Sequence, residues 1–178
     1  MINKIIEILK NGGLIALPTD TIYGLIGDPF SKVAVEKAYK LKNRDKAKKL
    51  SIFLDSRDKI KDICYTNDFI ENFIKNELEN NTIILKKKDE NYLSLISNDT
   101  IGIRVPNNDF IIDFLKVYNK PIFATSINIS GQKECFSYED VLKNFSNKID
   151  LIIQNNTIPS NKSSSIFKIE DNKIIKIR

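Results

Sequence analysis

Helical and strand-like segments alternate along the whole chain, and this alternation limits the fold more than any other feature. Ile2 to Leu9 has helical apolar spacing, and Asn11-Gly12-Gly13 ends that pattern before the apolar run LIALP. Further helical patterns cover 31–43, about 57–78, about 108–118 and 138–145. The strand-like runs are LSIFL, TIILKK, TIGIRV, KPIFATS, DLIIQ, SSIFKI and KIIKIR. Such alternation predicts a layered α/β domain with a mixed sheet.

The chain length favours one domain over residues 1–178, without a linker. Its 178 residues, 42% of them hydrophobic, can bury one sizeable core. No apolar run approaches the roughly 20 residues that a membrane-spanning helix needs. The N-terminal segment MINKIIEILKNGG is amphipathic and lacks the apolar region of a secretory signal. We therefore expect a cytoplasmic protein that does not enter a membrane.

The chain contains no histidine, which excludes several kinds of chemistry. Ser-His-Asp and Cys-His nucleophile activation cannot occur, and nearly all common zinc sites are ruled out. Cys64 and Cys135 are too far apart for a CxxC motif, so we interpret both as ordinary thiols. We predict no protein-held metal site. The net charge of +5 favours anionic partners, which include nucleic acid and nucleotide phosphates.

Three loops that follow strands or helices carry candidate binding groups. The first is PTDTIYGL at 18–25, where hydroxyls, a carboxylate and a phenol cluster; a simple Asp/Thr turn is the alternative. The second is the basic segment 42–49, whose Lys and Arg side chains could bind phosphates or form only a solvated charge run. The third is ATSINISG at 124–131, which could close around an anion through hydroxyl, amide and backbone groups, or be an ordinary turn. It is not a P-loop, because GxxxxGK[ST] is absent.

Two smaller segments add to these candidates. Arg104 lies in the otherwise apolar strand GIRVP, where a charge is costly unless it is paired or bound to an anion. We therefore expect Arg104 to face a cleft, with a structural salt bridge as the alternative. The serine run 163–165 and Arg178 close the chain, and the serine run alone is equally typical of a loop.

Taken in order, these motifs resemble the YrdC/Sua5 family. The pattern of that family runs PTDTxYGL, KxR, an R-x-P strand, TSxN-x-SG and a late Ser-Thr strand, and the matching segments span residues 12–178 of this chain. The length is similar to that of the short, single-domain members. The resemblance implies a twisted, mixed and mostly parallel sheet, with flanking helices around a large basic cavity.

The resemblance also implies roles for individual residues. The positions that match the L-threonine site are Thr21, Tyr23, Arg104, Ser126 and Ser164. The positions that match the ATP site are Arg44, Lys48, Thr100, Asn128 and Arg178. The positions that match the catalytic group are Lys42, Arg44, Ser126 and Asn128.

The chain departs from the family pattern at a few positions. Ile26 replaces a frequent Gly, Lys49 a Pro or Gly, and Ile127 an Ala. The segment 79–82 replaces the common PGPxT run, and Ser165 replaces a Thr.

As the resemblance implies, the activity is that of a nucleotidyltransferase. Threonine takes up CO2 or bicarbonate, and the carbamate attacks the α-phosphate of ATP to give L-threonylcarbamoyladenylate and pyrophosphate for tRNA modification. Mg2+ is expected to arrive with ATP. A separate threonylcarbamoyl transferase complex would use the product, and binding of tRNA by this chain would be weak and salt-dependent.

A non-catalytic RNA-binding module of the same fold is the alternative function. A basic cavity could hold RNA through its backbone. The uncharged TSINIS segment favours a small-molecule pocket, whereas RNA binding predicts cations spread over an open face.

Overall fold

The computed structural model describes residues 1–154 and 162–178, which form one layered α/β unit. The α-helices of this part of the chain are α1 Ile2–Lys10, α2 Lys32–Lys42, α3 Ile60–Ile63, α4 Asp68–Glu77, α5 Asp109–Tyr118 and α6 Tyr138–Phe145. The strands are β1 Ile15–Pro18, β2 Tyr23–Gly27, β3 Ser51–Phe53, β4 Asn81–Lys86, β5 Thr100–Arg104, β6 Ile122–Ser126, β7 Leu151–Ile152, β8 Ser165–Glu170 and β9 Lys173–Lys176.

All nine of these strands belong to one mixed sheet in the order β7-β1-β2-β6-β3-β5-β4-β8-β9. The pairs β1–β7, β3–β5 and β4–β8 are parallel. The other five pairs are antiparallel. The predicted mixed sheet is confirmed, but parallel pairs are its minority, whereas the family resemblance implied a mostly parallel sheet. Antiparallel pairs are frequent in it because β1–β2 and β8–β9 are hairpins, which need only short connections.

Helices cover the two faces of the sheet, and the strand residues alternate between them. Ile15 and Leu17 pack in one apolar cluster with α1 and α5, whereas Leu14 and Ala16 pack in a second cluster with α2, α4 and α6. This two-residue period is expected because neighbouring side chains of a strand point to opposite faces. Each face of the sheet therefore has its own core.

The helix termini follow their local sequence. Ser31, Asn67 and Asn108 accept hydrogen bonds from backbone N–H groups at the starts of α2, α4 and α5. Ser137 and Asp140 form a reciprocal capping box at the start of α6. In the described part of the chain, no helix has the length and apolar character that a bilayer crossing requires.

Two elements differ from the sequence-based prediction. The single helical pattern at about 57–78 is divided into a 3-10 turn at 57–59, α3 and α4, because Cys64 leaves the helical conformation and forms a β-bridge with Lys87. Strand β2 was not predicted. Its two glycines weaken the strand pattern, yet Gly27 is needed there, since a Cβ atom would lie 2.3 Å from Cζ of Phe123.

Candidate functional site

A cleft with about 680 Å³ of empty space, counted to its open mouth, lies along one end of the central strands. Its walls come from the β1–β2 turn, the loop after α2, the carboxyl end of β5, the end of β6 and the segment before β8. The motifs that are far apart in sequence therefore meet at one place.

Seven of the eleven predicted site residues line this cleft: Thr21, Tyr23, Arg44, Arg104, Ser126, Ser164 and Arg178. Four do not: Lys42, Lys48, Thr100 and Asn128. The cleft also contains Lys49, so four cationic side chains line it. No carboxylate is found among the lining residues in the part of the chain that the structure describes. The cleft is thus suited to an anionic ligand.

The β1–β2 turn is held by the hydroxyl of Thr19. This hydroxyl donates to the carbonyl of Ile22 at 2.7 Å and accepts from the backbone N–H of Thr21 at 3.1 Å. Because its one hydrogen is used there, the 3.1 Å contact with Thr21 must be a bond in which Thr21 is the donor. The clustered hydroxyls of PTDTIYGL therefore fix the turn and also orient Thr21.

Arg104 forms the floor of the cleft with its guanidinium almost entirely buried. Nη1 donates to Oγ1 of Thr21 at 3.0 Å, and Nη2 lies 2.7 Å from Oδ2 of Asp20. The guanidinium also stands 5.7 Å from the ring centroid of Phe53. The two interpretations of Arg104 made from the sequence both agree with the structure, because Arg104 lines the cleft and also forms a salt bridge.

The guanidinium of Arg104 still has donors that nothing in the described residues accepts. Nε and Nη2 have no hydrogen-bond partner there, so the close contact with Asp20 is an ion pair that is not aligned as a hydrogen bond. Unsatisfied buried donors are costly and are rare in native proteins. Oδ1 of Asp20 likewise has no partner among these residues, so the ion pair itself leaves hydrogen-bonding capacity unused on both sides. A planar guanidinium with such unused capacity is a common partner of a carboxylate.

Arg44 and Arg178 bring two further guanidinium groups to the cleft. Nε and Nη2 of Arg44 donate to the carbonyls of Lys48 and Lys49, both at 2.9 Å. Arg178 donates from Nε and Nη2 to the carbonyl of Ser164 at 3.2 and 2.9 Å. Burial lowers the pKa of Arg44, Tyr39 opposes this change, and the positive charge of Arg178 lowers the pKa further. A polyanion bound between these cations would offset their repulsion.

The segment after β6 is organised by Lys42, a residue that is only 1% exposed and does not line the cleft. Its Nζ donates to the carbonyl of Ser126, to the carbonyl of Asn128 at 3.1 Å and to Oδ1 of Asn128 at 2.8 Å. Oδ1 of Asn128 also accepts from Oγ of Ser126 at 3.0 Å. Of these three residues, only Ser126 reaches the cleft.

Ser164 is held beside Thr82, with 3.1 Å between their hydroxyl oxygens. Both residues line the cleft and both are buried. The parallel pairing of β4 and β8 brings them together, since Asn81 lies opposite Ser165 and Thr82 opposite Ile166. Thr82 belongs to the segment that replaces the PGPxT run, and its hydroxyl is retained in the cleft.

Two predicted residues lie away from the cleft, and a third lines it with its hydroxyl bonded elsewhere. Thr100 pairs with Lys86 at the start of β5, four residues and thus roughly 13 Å along the strand from Arg104. Lys48 is exposed, and its carbonyl accepts from Arg44. Tyr23 is fully buried, and its hydroxyl donates to the carbonyl of Ile153 at 3.1 Å. The ligand roles of Thr100 and Lys48 stay predictions, and the structure does not bring these two side chains to the cleft.

Several residues of the cleft and its support had no individual role predicted from the sequence, although Asp20 and Lys49 belong to candidate segments. Asp20, Thr82, Lys49 and Phe53 lie in or directly behind the walls. Asp20 could have been found from its place in PTDT, since a buried Arg needs an acidic partner. Nothing in the local pattern marks Phe53, which reaches the cleft because it ends a buried strand.

Residues 7–178 match the family model of Sua5, YciO and YrdC, which is described as telomere recombination. The chain therefore belongs to the Sua5, YciO and YrdC family. It is 34% identical over 179 residues to a Methanocaldococcus jannaschii protein provisionally named threonylcarbamoyl-AMP synthase, covering 98% of this chain and 85% of the relative. It is 32% identical over 179 residues to the threonylcarbamoyl-AMP synthase of Buchnera aphidicola, covering 94% of this chain and 98% of that relative.

The fold is also that of solved structures. E. coli YciO superposes with a TM-score of 0.88 at 25% identity, covering 99% of this chain and 87% of YciO. P. abyssi Sua5 in complex with L-threonine superposes with a TM-score of 0.86 at 22% identity, covering 99% of this chain and 53% of Sua5. The family and the α/β fold that the sequence indicated are thus confirmed.

Proposed function

We propose that this chain is a nucleotidyltransferase that forms L-threonylcarbamoyladenylate and pyrophosphate from L-threonine, CO2 or bicarbonate, and ATP. The main support is the composition of the cleft, where the buried guanidinium of Arg104, with an unpaired Nε, lines the same space as Arg44, Lys49 and Arg178. One carboxylate site beside a cluster of cations suits an amino acid next to a triphosphate. Relatives that match nearly the whole chain bear the corresponding enzyme name.

The amino acid would bind at the Arg104 end of the cleft. The guanidinium of Arg104, whose Nε has no partner among the described residues, would receive the threonine carboxylate. Thr21 and Ser164 would add hydroxyl contacts on either side, while Phe53 supplies an apolar wall. Tyr23 would contribute to the wall rather than through its hydroxyl, which is bonded to Ile153.

ATP would bind at the Arg44 end, with its phosphates between Arg44, Lys49 and Arg178. Its Mg2+ would accompany the phosphates and keep several waters, as this ion commonly does. When bound, Mg2+ would neutralise charge on the phosphate oxygens. The chain itself would supply the guanidinium groups, whose direct contacts to the phosphates add both charge and orientation.

The chemistry needs no side-chain nucleophile. The threonine amine attacks CO2 and loses a proton, which gives a carbamate. A carbamate oxygen then attacks the α-phosphorus of ATP, the bond to the bridging oxygen of the β-phosphate breaks, and pyrophosphate leaves. Positioning and charge neutralisation can provide the acceleration, as in other phosphoryl transfers. A chain without histidine can therefore carry out this reaction.

The product would be passed to a separate threonylcarbamoyl transferase complex in the cytoplasm. The narrow cleft would be filled by ATP and threonine, so that any tRNA would contact only the outer surface. Such contacts are electrostatic and weaken strongly with salt. Direct tRNA binding is accordingly expected to be weak and non-specific.

The testing experiment measures pyrophosphate release and adenylate formation by the purified chain. ATP, Mg2+, bicarbonate and L-threonine are supplied together, and threonine or bicarbonate is then omitted in turn. We expect adenylate only in the complete mixture and without any RNA. An Arg104→Met variant should lose threonine-dependent release, while Lys116→Met, at an exposed lysine of α5, should not. Tight, salt-resistant tRNA binding without adenylate would favour the RNA-binding alternative.

A further inference from the structure

The side chain of Lys42 has no free donor to offer a ligand. A lysine ammonium carries three N–H groups, and Lys42 has three acceptors: the carbonyls of Ser126 and Asn128, and Oδ1 of Asn128. Lys42 also accepts through its own carbonyl, at 2.7 Å from the backbone N of Ser130. The last residue of α2 therefore holds the segment after β6 at both ends.

The amide of Asn128 is oriented by contacts on both of its sides. Its oxygen faces the ammonium of Lys42, and its Nδ2 donates to the carbonyls of Ile129 at 3.1 Å and Gln132 at 2.8 Å. Rotating the amide would set Nδ2 against a cation and Oδ1 against two carbonyl oxygens. All the hydrogen-bonding capacity of the Nδ2 group is thus used within the protein.

This fixed amide decides the direction of the Ser126 hydroxyl. Oδ1 of Asn128 has no hydrogen, so the 3.0 Å contact between it and Oγ of Ser126 must use the serine hydrogen. Ser126 has only one O–H, and that hydrogen points back into the protein. The lone pairs of Oγ remain for the cleft, which Ser126 lines.

We propose that Lys42 is a positioning residue that acts through Asn128 to make Ser126 a hydrogen-bond acceptor toward the ligand. Ser126 would then receive an N–H or O–H donor of the amino acid, and it would not bind a phosphate or carboxylate oxygen. The inference rests on the proposed function for the identity of the ligand. The α-nitrogen carries at least one N–H as ammonium, amine and carbamate, so it can remain bonded to Ser126 throughout the reaction.

The arrangement gives the amino acid two contacts of opposite hydrogen-bond polarity. Arg104 offers only donors and so takes an acceptor, whereas Ser126 offers only an acceptor and so takes a donor. An amino acid carries both kinds of group on neighbouring atoms. The cleft therefore selects the orientation of the amino acid as well as its charge.

The test compares Lys42→Met, Ser126→Ala and the double variant with Lys40→Met, a change at an exposed lysine of the same helix. Threonine affinity is measured by calorimetry, and the Michaelis constants for threonine and ATP are measured by pyrophosphate release. We expect each single variant to weaken threonine by about tenfold, the value of a lost hydrogen bond of about 1.4 kcal/mol. The Michaelis constant for ATP should change little in these variants. In Lys40→Met, the threonine affinity and both Michaelis constants should change little.

The double variant separates a relay from two unrelated effects. If Lys42 acts through Ser126, the double variant should bind threonine no worse than the weaker-binding single variant. The proposal would be overturned if the fold-losses in threonine affinity of the two single variants multiply in the double variant. It would also be overturned if the variants weaken ATP instead of threonine. If Lys42→Met does not fold by circular dichroism, Asn128→Ala replaces it in the cycle, because it removes the acceptor that fixes the serine hydrogen.

A ligand series identifies the donor. L-2-aminobutyrate lacks the side-chain hydroxyl of threonine but keeps the α-nitrogen. A Ser126→Ala penalty with both ligands assigns the bond to the nitrogen, a penalty with threonine alone assigns it to the hydroxyl, and no penalty with either contradicts the proposal. A wild-type protein that binds threonine but makes no adenylate would refute the proposed function and leave the calorimetric test in force. Absence of threonine binding would refute both the proposed function and the role of Ser126 as an acceptor for threonine.

Discussion

Oδ2 of Asp20 lies 2.7 Å from Nη2 of Arg104, and the two residues form a buried ion pair. The side chain of Asp20 is 4% exposed and that of Arg104 is 5% exposed. Asp20 also accepts from the backbone N of Asn107 at 3.0 Å. The carboxylate thereby joins the β1–β2 turn to the segment after β5. It balances the charge of Arg104 without itself lining the cleft.

We expect Asp20→Asn to destabilise the protein by about 3 to 5 kcal/mol, because it leaves the buried charge of Arg104 unpaired. The free energy of unfolding in urea measures this loss. Asp113→Asn is the matched control, since Asp113 pairs with Lys116 on the exposed face of α5 and should change stability by less than about 0.5 kcal/mol. Equal effects of the two changes would contradict the structural role of Asp20.

The second prediction concerns Arg44→Ala, which should lower kcat/KM for ATP while the protein remains folded. Loss of a charge-assisted contact of about 1.5 to 3 kcal/mol corresponds to roughly 10- to 150-fold. Steady-state pyrophosphate release at varied ATP is the measurement. Lys46→Ala is the control, because Lys46 is exposed and does not line the cleft. Unchanged ATP kinetics in Arg44→Ala would remove Arg44 from the phosphate site.

The third prediction follows from the burial of Lys42, which lowers its pKa from 10.5 to about 8; the positive charge of Arg44 acts in the same direction, while Glu134 and Cys135 oppose it. Between about pH 8 and 10.5 the unfolded chain therefore binds a proton that the folded chain has released. The contribution of Lys42 to the free energy of unfolding should rise with pH across this window and be constant outside it.

Urea unfolding of the wild type and of Lys42→Met at several pH values tests whether the contribution of Lys42 to the free energy of unfolding rises with pH. The difference between the two proteins isolates Lys42 from the other groups that titrate there. The wild type should gain stability relative to the variant from pH 8 to 10.5. A difference that stays constant or falls would contradict the lowered pKa.

The fourth prediction is that Gly27→Ala is destabilising by about 1 to 3 kcal/mol, since the added methyl group would overlap the buried ring of Phe123. Thermal unfolding measures the change. Combining Gly27→Ala with Phe123→Leu should recover part of the loss attributed to Gly27→Ala. Additive losses would show that the backbone of β2, and not the contact with the ring, requires glycine.

Sequence motifs predicted most of the segments that line the cleft, because these motifs lie at the ends of elements that reach it. The ligand roles of their side chains stay predictions. Thr21, Arg104, Ser126 and Ser164 come together as the family resemblance implied. The part that was not predicted concerns side-chain partners. The ion pair of Arg104 with a residue 84 positions away is set by strand pairing, which local patterns do not encode.

The direction of a side chain is a second limit of sequence reasoning. Lys42 and Arg44 stand two residues apart in KxR, yet Lys42 ends α2 facing the interior and Arg44 follows the left-handed Asn43 into the cleft. A positive φ at Asn43 reverses the chain between them, and Asn tolerates that conformation better than most residues. The motif therefore identifies both residues but does not say which one lines the cleft.

The parallel pairing of β8 with β4 has a consequence for the order of folding. Asn81 and Ser165 are paired across 84 positions, and Arg178 closes a cleft whose first lining residue is Thr19. Contacts of such high sequence separation form slowly, because the loop entropy is lost before the contacts are gained. During synthesis on the ribosome, the α1–α6 region can collapse while the cleft is still open on one side. Binding competence should consequently arise in a single late step, when β8 docks and brings Ser164 and Arg178 with it.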